Sequence, residues 1–153
     1  MRSGWSFRQP WRTGKRSMLL ERLPPDDPRE WPNRAHSNLA KAQGGSKLRE
    51  VYLEDLCFDA QQAAEKAIKA VLIHLHVRFP YVHDLARLLS LAEEAGALVP
   101  ENVRWSVALT DFAVAARYPG PGEPVSLEEY REALRMASQV IEWAEEVIAA
   151  EGA

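Results

Sequence analysis

The strongest constraint on the fold is one long segment, residues 48–77, in which apolar residues recur at the spacing of an α-helix. From Leu53 to Leu75 they return every three or four positions, so a helix would carry them on one broad side. Four of them are alanines, which let a neighbouring helix approach closely: Ala60, Ala63, Ala64 and Ala67. The pattern predicts a long central helix over residues 48–77 that packs against two apolar neighbours.

The other side of this helix carries amide, carboxylate and ammonium groups. Gln62, Lys66 and Lys69 are predicted to face outward, toward solvent or a ligand, and Glu65 is spaced to form an i,i+4 ion pair with Lys69. Gln61 falls inside the apolar arc instead. Because a buried amide needs hydrogen-bond partners, Gln61 is expected to tie the helices of the bundle together.

Four more helices are indicated by residues that start and stop helices. Asp27 with Glu30, and Ser126 with Glu129, have the spacing of a capping box. The predicted helices cover residues 27–42, 84–95 and 101–116 and a segment that begins after Ser126. Because no strand pattern, repeat or glycine-rich phosphate loop is present, the predicted fold class is all-α, an up-and-down bundle of about five helices.

Three of these helices carry further expectations. The third helix has Asp84 as its N-cap and Gly96 just past its end. The segment 101–116 is apolar almost all round and is therefore expected at the centre of the bundle. The last helix has two apolar stripes, which either two neighbours share or a second subunit covers. Trp143 and Met136 favour the second subunit, because both residue types are enriched at interfaces.

Composition and charge divide the chain into a tail and one domain. Residues 1–26 lack a helical period and contain three prolines, and the first 17 residues carry five basic groups and no acid. We expect a basic tail over 1–26, which is either an extension before an alternative start at Met18 or an arm that attracts RNA, and a bundle over 27–150. The acidic remainder argues against a broad non-specific nucleic-acid surface.

Several classes of protein are excluded by what the sequence lacks. No apolar run approaches the ~20 residues of a membrane-spanning helix, and no apolar segment follows the basic first residues as in a signal peptide. The single Cys57 excludes an intrachain disulfide and a cysteine-based zinc site. We therefore expect a cytoplasmic protein with neither a metal nor a cofactor and with no membrane contact.

Three short segments, taken in order, resemble the HEPN family of small helical domains. They are Gln61-Gln62-Ala63-Ala64-Glu65-Lys66-Ala67, His83-Asp84-Leu85 and Ala116-Arg117-Tyr118-Pro119. The resemblance implies a bundle that forms homodimers and binds a nucleotide or RNA. It also implies a minimal nucleotidyltransferase as partner, since many members form two-component toxin–antitoxin pairs with such an enzyme.

Some members of this family are metal-independent ribonucleases with an Arg, four to six further residues and then a His near the start of the last helix. No histidine follows His83 in this chain, so the motif is absent at its expected place after Arg117. Two formal matches lie elsewhere, from Arg78 to His83 and from Arg29 to His36. With 14 arginines and four histidines, such matches arise readily by chance.

The resemblance and the residue chemistry together give the candidate site. The predicted ligand-binding residues are Lys66, Arg117, Tyr118, Gln62 and His83, and the catalytic candidates are His83 as a base and Arg78 as a phosphate contact. Each has a structural alternative. His83 could order the turn before the third helix, Arg117 could meet the last carbonyls of its helix, and Tyr118 could pack under the loop.

Overall fold

The computed structural model describes residues 20–24, 27, 29–115 and 122–151. The predicted tail over residues 1–26 lies largely outside this range, so the division into tail and domain stays a prediction. Segment 116–121, which includes Arg117 and Tyr118, also lies outside it. Within the described residues every regular element is helical, which confirms the all-α prediction. None of the described helices is long and apolar enough to cross a lipid bilayer.

The described chain forms five helical segments. The α-helices are α1 (Glu30–Gly44), α2 (Leu53–His74), α3 (Leu85–Glu94), α4 (Glu101–Arg104), α5 (Phe112–Ala115) and α6 (Leu127–Glu151). A 3₁₀ stretch, Trp105–Asp111, joins α4 to α5, so these three pieces run on as one segment. A short 3₁₀ turn, Gly45–Lys47, follows α1.

Helix α2 is the centre of the bundle. It packs against α1 and α6 along its length and also contacts α3, α5 and the long 3₁₀ stretch. Its alanine side, which we define as Cys57, Ala60, Ala63, Ala64 and Ala67, is fully buried. Protein interiors are densely packed and leave few voids, so these small side chains determine how closely the neighbouring helices approach.

Helix α1 begins later than the sequence predicts, at Glu30 and not at Asp27. The expected capping box does not form, because Asp27 accepts hydrogen bonds from the backbone and guanidinium of Arg29. These bonds, the side-chain one first, lower the pKa of Asp27 to about 2. Glu30 instead accepts from the amide of Leu23 at 3.0 Å and from Nε of Arg34 at 2.6 Å.

Helix α2 also begins later than predicted, at Leu53 and not at Leu48. Leu48 is 66% exposed, and Glu50 has a φ of 61°, a left-handed conformation that a helix cannot continue through. At Gly45, in the turn before this loop, a Cβ would lie 2.3 Å from Cδ2 of Leu56, so a larger residue would require the Leu56 side chain to shift. The apolar pattern of the segment therefore extends further than the helix does.

The predicted caps of the later helices are confirmed. The Ser126 amide donates to Glu129 at 2.9 Å, and the Glu129 amide donates to Oγ of Ser126 at 3.0 Å, which completes a capping box. The Asp84 carboxylate accepts from the amides of Ala86 and Arg87 at the start of α3. Gly96, with a φ of +101°, closes the far end of α3.

The described part of the predicted helix over 101–116, residues 101–115, is helical as expected, but it is partly 3₁₀ and not central all round. In a 3₁₀ helix side chains three residues apart lie above one another, so Val103, Ser106 and Leu109 are buried. Trp105 falls outside that row and is 66% exposed, and Val107 is exposed as well. The predicted central position therefore fails at Trp105 and Val107, because a period of three leaves these side chains outside the buried row.

The last helix, α6, buries both of its apolar stripes at least partly within this chain. Trp143 is 4% exposed, and its Nε1 donates to the carbonyl of Leu98 at 2.9 Å. The hydroxyl of Tyr130 donates to the carbonyl of Ala42 in α1. Trp143 therefore packs inside the bundle, contrary to its predicted place at a subunit contact. Met136 is half-buried against the core.

Candidate ligand site around Glu65

A buried carboxylate, Glu65, organises the polar groups of the bundle. Its side chain is 4% exposed and lies in the middle of α2. Nζ of Lys69 is 2.7 Å from Oε2, and Nδ1 of His83 is 2.8 Å from Oε1. The amides of Gln61 and Gln62 also donate to Oε1, at 3.1 and 3.4 Å. We call these five residues the Glu65 network. A charge this deeply buried is tolerated only with such partners.

The sequence spacing explains how α2 brings four of these groups together. Gln61, Glu65 and Lys69 are four residues apart, so they stand above one another along the same side of the helix. Gln62 is adjacent, and its amide donates both to Oε1 of Gln61 at 2.8 Å and to Glu65. The predicted ion pair between Glu65 and Lys69 therefore forms, but inside the bundle.

The fifth group, His83, comes from the loop between α2 and α3, residues 75–84. This α2–α3 loop starts with His76 at a φ of 60°, while the amide of Val77 donates to the carbonyl of Leu72 at 2.8 Å. This bond and the left-handed His76 form a Schellman closure of α2, in which the left-handed position is usually glycine. The loop then returns over α2, where the carbonyl of His83 accepts from Gln61 at 3.2 Å. Gln61 is thus buried and hydrogen-bonded as predicted, but it ties α2 to this loop and not to another helix.

Lys69 is buried beneath two aromatic rings. Its Nζ lies 5.8 Å from the ring centroid of Trp31 and 5.5 Å from that of Phe79, and the two rings meet edge to face at 6.0 Å. Aromatic faces attract an ammonium group, and the attraction grows when water is excluded. The predicted outward position of Lys69 was therefore wrong: the carboxylate of Glu65 and the two rings together stabilise it inside.

The charge state of Glu65 follows from two opposing effects. Burial by itself raises the pKa of this carboxyl, whereas hydrogen bonds from Lys69 and His83, with the positive charge of Lys69, lower it. The bonds outweigh burial, and the pKa lies below its ordinary value. Glu65 is thus a carboxylate, which only accepts hydrogen bonds, so Nδ1 of His83 carries the proton in this contact.

A second polar group on α2, Lys66, has a different environment. Its Nζ donates to Oδ1 of Asn38 at 2.7 Å, Asn38 donates to Asp59 at 3.0 Å, and Asp59 pairs with Lys41 at 3.2 Å. Burial lowers the pKa of Lys66. The negative charge of Glu65 opposes this change, and the positive charges of Arg34 and Lys41 add to it. Lys66 is therefore half-buried near two other cations and does not face freely outward.

The structure brings together some of the predicted site residues and not others. Gln62 and His83 contact the same oxygen of Glu65, whereas the ammonium group of Lys66 bonds Asn38 of α1. Arg78 is exposed within the α2–α3 loop. Arg117 and Tyr118 lie outside the described residues, so their predicted roles stay predictions.

The sequence reasoning missed Glu65 itself as the central residue. A signal was available: Glu65 lies between Ala64 and Ala67 and four residues from Gln61, which was already expected to be buried. A carboxylate on the same row as a buried amide is a candidate for burial. In the part of the chain that the structure describes, no group of three histidine, cysteine or acidic residues could hold a metal ion.

Fold and site together define a small all-α bundle domain with a charged network buried on its central helix. The HEPN domain family matches residues 28–147, and the chain belongs to that family. The crystal structure of TT1696 from Thermus thermophilus is similar, with a TM-score of 0.67 and 31% identity over 78% of this chain and 97% of that one.

A second solved structure, of an archaeal protein, has a similar fold. ST0689, described as an archaeal HEPN homologue, has a TM-score of 0.63 and 23% identity, and the match covers 84% of this chain and 99% of the other. No curated protein sequence matches the chain. The family resemblance inferred from the three short segments is thereby confirmed, together with its all-α fold.

Proposed function

We propose that this HEPN domain binds a nucleotide, or another ligand that carries a phosphate, at the surface beside the Glu65 network. The observation that carries the proposal is the convergence of Gln62 and His83 on one buried oxygen of Glu65. The ring of His83 is 48% exposed, so the same side chain that contacts the interior also reaches the surface. Lys66, beside Glu65 on α2, would supply the cation.

The distribution of charge along the sequence favours an anionic ligand at the segment that carries the Glu65 network. Residues 27–83 hold eight basic and seven acidic residues, a net charge of +1. Residues 84–153 hold five basic and 13 acidic residues, a net charge of −8. The positive charges of Arg34 and Lys41 contribute to the lowered pKa of Lys66, and an arriving phosphate would relieve that repulsion.

The experiment is a thermal unfolding series with ATP and with inorganic phosphate. At a ligand concentration of 100 Kd we expect Tm to rise by about 5–10 °C. Lys66→Gln should weaken ATP binding about 10-fold or more, the effect of losing a hydrogen bond to a charged group. Lys47→Gln is the matched control, because Lys47 is an exposed lysine on a turn away from the network. Absence of any shift with the wild-type protein would reject the proposal.

The wider role that we propose rests on the family. The chain would act as a homodimer with a minimal nucleotidyltransferase partner, in a two-component system of the toxin–antitoxin type, in the cytoplasm. The test is to co-express the chain with the product of the adjacent reading frame. A stable complex with a small nucleotidyltransferase would support this role, and a neighbour of another kind would remove it. Analytical ultracentrifugation tests the dimer, with about twice the chain mass of 17.2 kDa expected.

One observation favours a second function, metal-independent cleavage of RNA. A carboxylate bonded to Nδ1 fixes the orientation of an imidazole, which is how acid–base histidines are held in hydrolases. Glu65 holds His83 in this way. The ribonuclease function requires that purified protein degrade RNA in the presence of EDTA and that His83→Ala remove this activity. Intact RNA after incubation with the wild-type protein would exclude it.

A further inference from the structure

The α2–α3 loop presents one aromatic ring completely to solvent. Tyr81 is 97% exposed, the highest value among the large apolar side chains that the structure describes. Two residues away on either side, Phe79 packs against Trp31 and His83 contacts Glu65. The exposed ring therefore stands between two anchored positions.

The loop is held by several independent contacts. The amide of Val77 bonds back to α2, Phe79 lies over Nζ of Lys69, and both the carbonyl and the ring of His83 contact residues of α2. Beyond the loop, the amide of Leu85 donates to Oγ1 of Thr110 at 3.1 Å. A side chain displayed from such a loop loses less freedom on binding than one displayed from a loop without these contacts.

Basic residues dominate the chain that leads up to Tyr81, and Asp84, the first acid after it, caps α3. From residue 66 to residue 83 the chain contains three lysine or arginine residues and three histidines but no aspartate or glutamate. One of these cations, Lys69, is neutralised by Glu65, whereas Arg78 is exposed in the same loop as Tyr81. An exposed aromatic ring and an exposed arginine on one loop are a combination that proteins use for unpaired nucleobases and their phosphates.

From this arrangement we infer that Tyr81 is the stacking platform for an unpaired nucleobase and that Arg78 contacts the phosphate attached to it. The inference rests on the proposed function and adds what the ligand must contain, a base as well as a phosphate. Every base has a flat face, so stacking on Tyr81 accepts either a free nucleotide or a nucleotide of single-stranded RNA.

The test measures affinity for three probes by isothermal titration with the full chain: ATP, a single-stranded ribo-oligonucleotide and ribose 5-phosphate. Tyr81→Ala should weaken binding of the base-bearing probes about 5- to 150-fold. It should leave ribose 5-phosphate unchanged. Tyr81→Phe keeps the ring and should retain the affinity. Tyr52→Ala is the matched control, because Tyr52 is a second exposed tyrosine, at 74%, on the loop before α2.

The outcomes separate the two proposals. If the wild-type protein binds none of the probes, the proposed function and the stacking role both fail. If it binds ATP or RNA and Tyr81→Ala binds them equally well, the stacking role fails alone. A selective loss for ATP identifies a nucleotide as the ligand, and a loss confined to the oligonucleotide identifies single-stranded RNA. Unchanged thermal unfolding of Tyr81→Ala is expected, since so exposed a ring makes little contact with the bundle.

Discussion

On one side of α2 the buried atoms are almost all carbon, whereas on another side a carboxylate, an ammonium group and an amide are buried just as deeply. The four alanines are 0% exposed, and Glu65, Lys69 and Gln61 are 3%, 5% and 0% exposed. The packing of the alanine side depends on the size of its side chains, because the neighbouring helices approach closely there. The stability of the Glu65 network depends on pairing, because each buried polar group requires a hydrogen-bond or charge partner. Residues of the two sides are buried to the same extent, but their substitutions should therefore change stability by different amounts.

The largest effect is expected from breaking the pairing. Glu65→Gln keeps the shape of the side chain but leaves the ammonium group of Lys69 buried without its counter-charge. Removing one partner of a buried ion pair costs about 3–5 kcal/mol. Chemical denaturation followed by circular dichroism should give a loss of this size in the free energy of unfolding. A loss below about 1 kcal/mol would contradict the pairing argument.

Two further measurements sharpen this prediction. The double variant Glu65→Leu with Lys69→Met should recover most of the loss, because an apolar pair needs no counter-charge. The folded pKa of Glu65 lies below the unfolded value, so the stabilisation is complete above that unfolded value and fades as the pH falls through the folded pKa. The difference between wild type and Glu65→Gln should therefore narrow in acid.

A smaller effect is expected from overfilling the alanine side. Ala67→Leu adds three carbons where α2 meets its neighbours and should cost about 1–3 kcal/mol. Asp55→Asn, at an exposed position in the first turn of α2, serves as a control on the same helix. If Ala67→Leu unfolds at the same denaturant concentration as wild type, the close approach of the neighbouring helices is not what limits this position.

The thiol on the alanine side gives a third, pH-dependent prediction. Burial first, and then the negative charges of Glu129 and Glu54, raise the pKa of Cys57 from 9.0 to about 12. The folded protein therefore retains a proton that the unfolded chain loses, so stability falls as the pH rises above 9.0. By pH 10 the loss is about 1.4 kcal/mol. Cys57→Ala should remove this extra alkaline loss; an unchanged slope between pH 8 and 10 would refute it.

The smallest effect is expected at Lys66, between the two sides. Its folded pKa lies below the unfolded value, so the folded state holds the proton less well and stability rises with pH as the alkaline range is entered. Lys66→Gln should remove this rise, the opposite of the change at Cys57. At neutral pH the variant should differ from wild type by only about 0.5–1 kcal/mol, because it loses one partly exposed hydrogen bond. Unfolding curves at pH 7 and pH 10 would test both statements.

The sequence was sufficient where local chemistry decides the structure. The capping box at Ser126, the N-cap at Asp84 and the long apolar repeat of α2 each depend on residues that are near neighbours in the chain. The tie between Gln61 and His83 was foreseen in part, because a buried amide must have a partner.

The sequence was insufficient where the structure depends on contacts between residues that are far apart in the chain. The inward position of Lys69 depends on Trp31 and Phe79, which come from α1 and from the α2–α3 loop, and spacing along α2 cannot reveal them. The 3₁₀ stretch has a composition equally suited to an α-helix, and the period of three that exposes Trp105 emerges only from packing. The resemblance of the three segments identified the family without revealing that the Glu65 carboxylate joins the first segment to the second through His83.

The position of His83 links binding at the surface to the buried contacts of Glu65 on α2. A molecule that engages the exposed edge of this imidazole also changes one of the contacts that stabilise the carboxylate inside. Energetic coupling of this kind is reciprocal. Substitutions in α2 that do not contact the ligand should then change the affinity for it. Ligand binding should in turn change the rate at which the backbone amide hydrogens of α2 exchange with solvent.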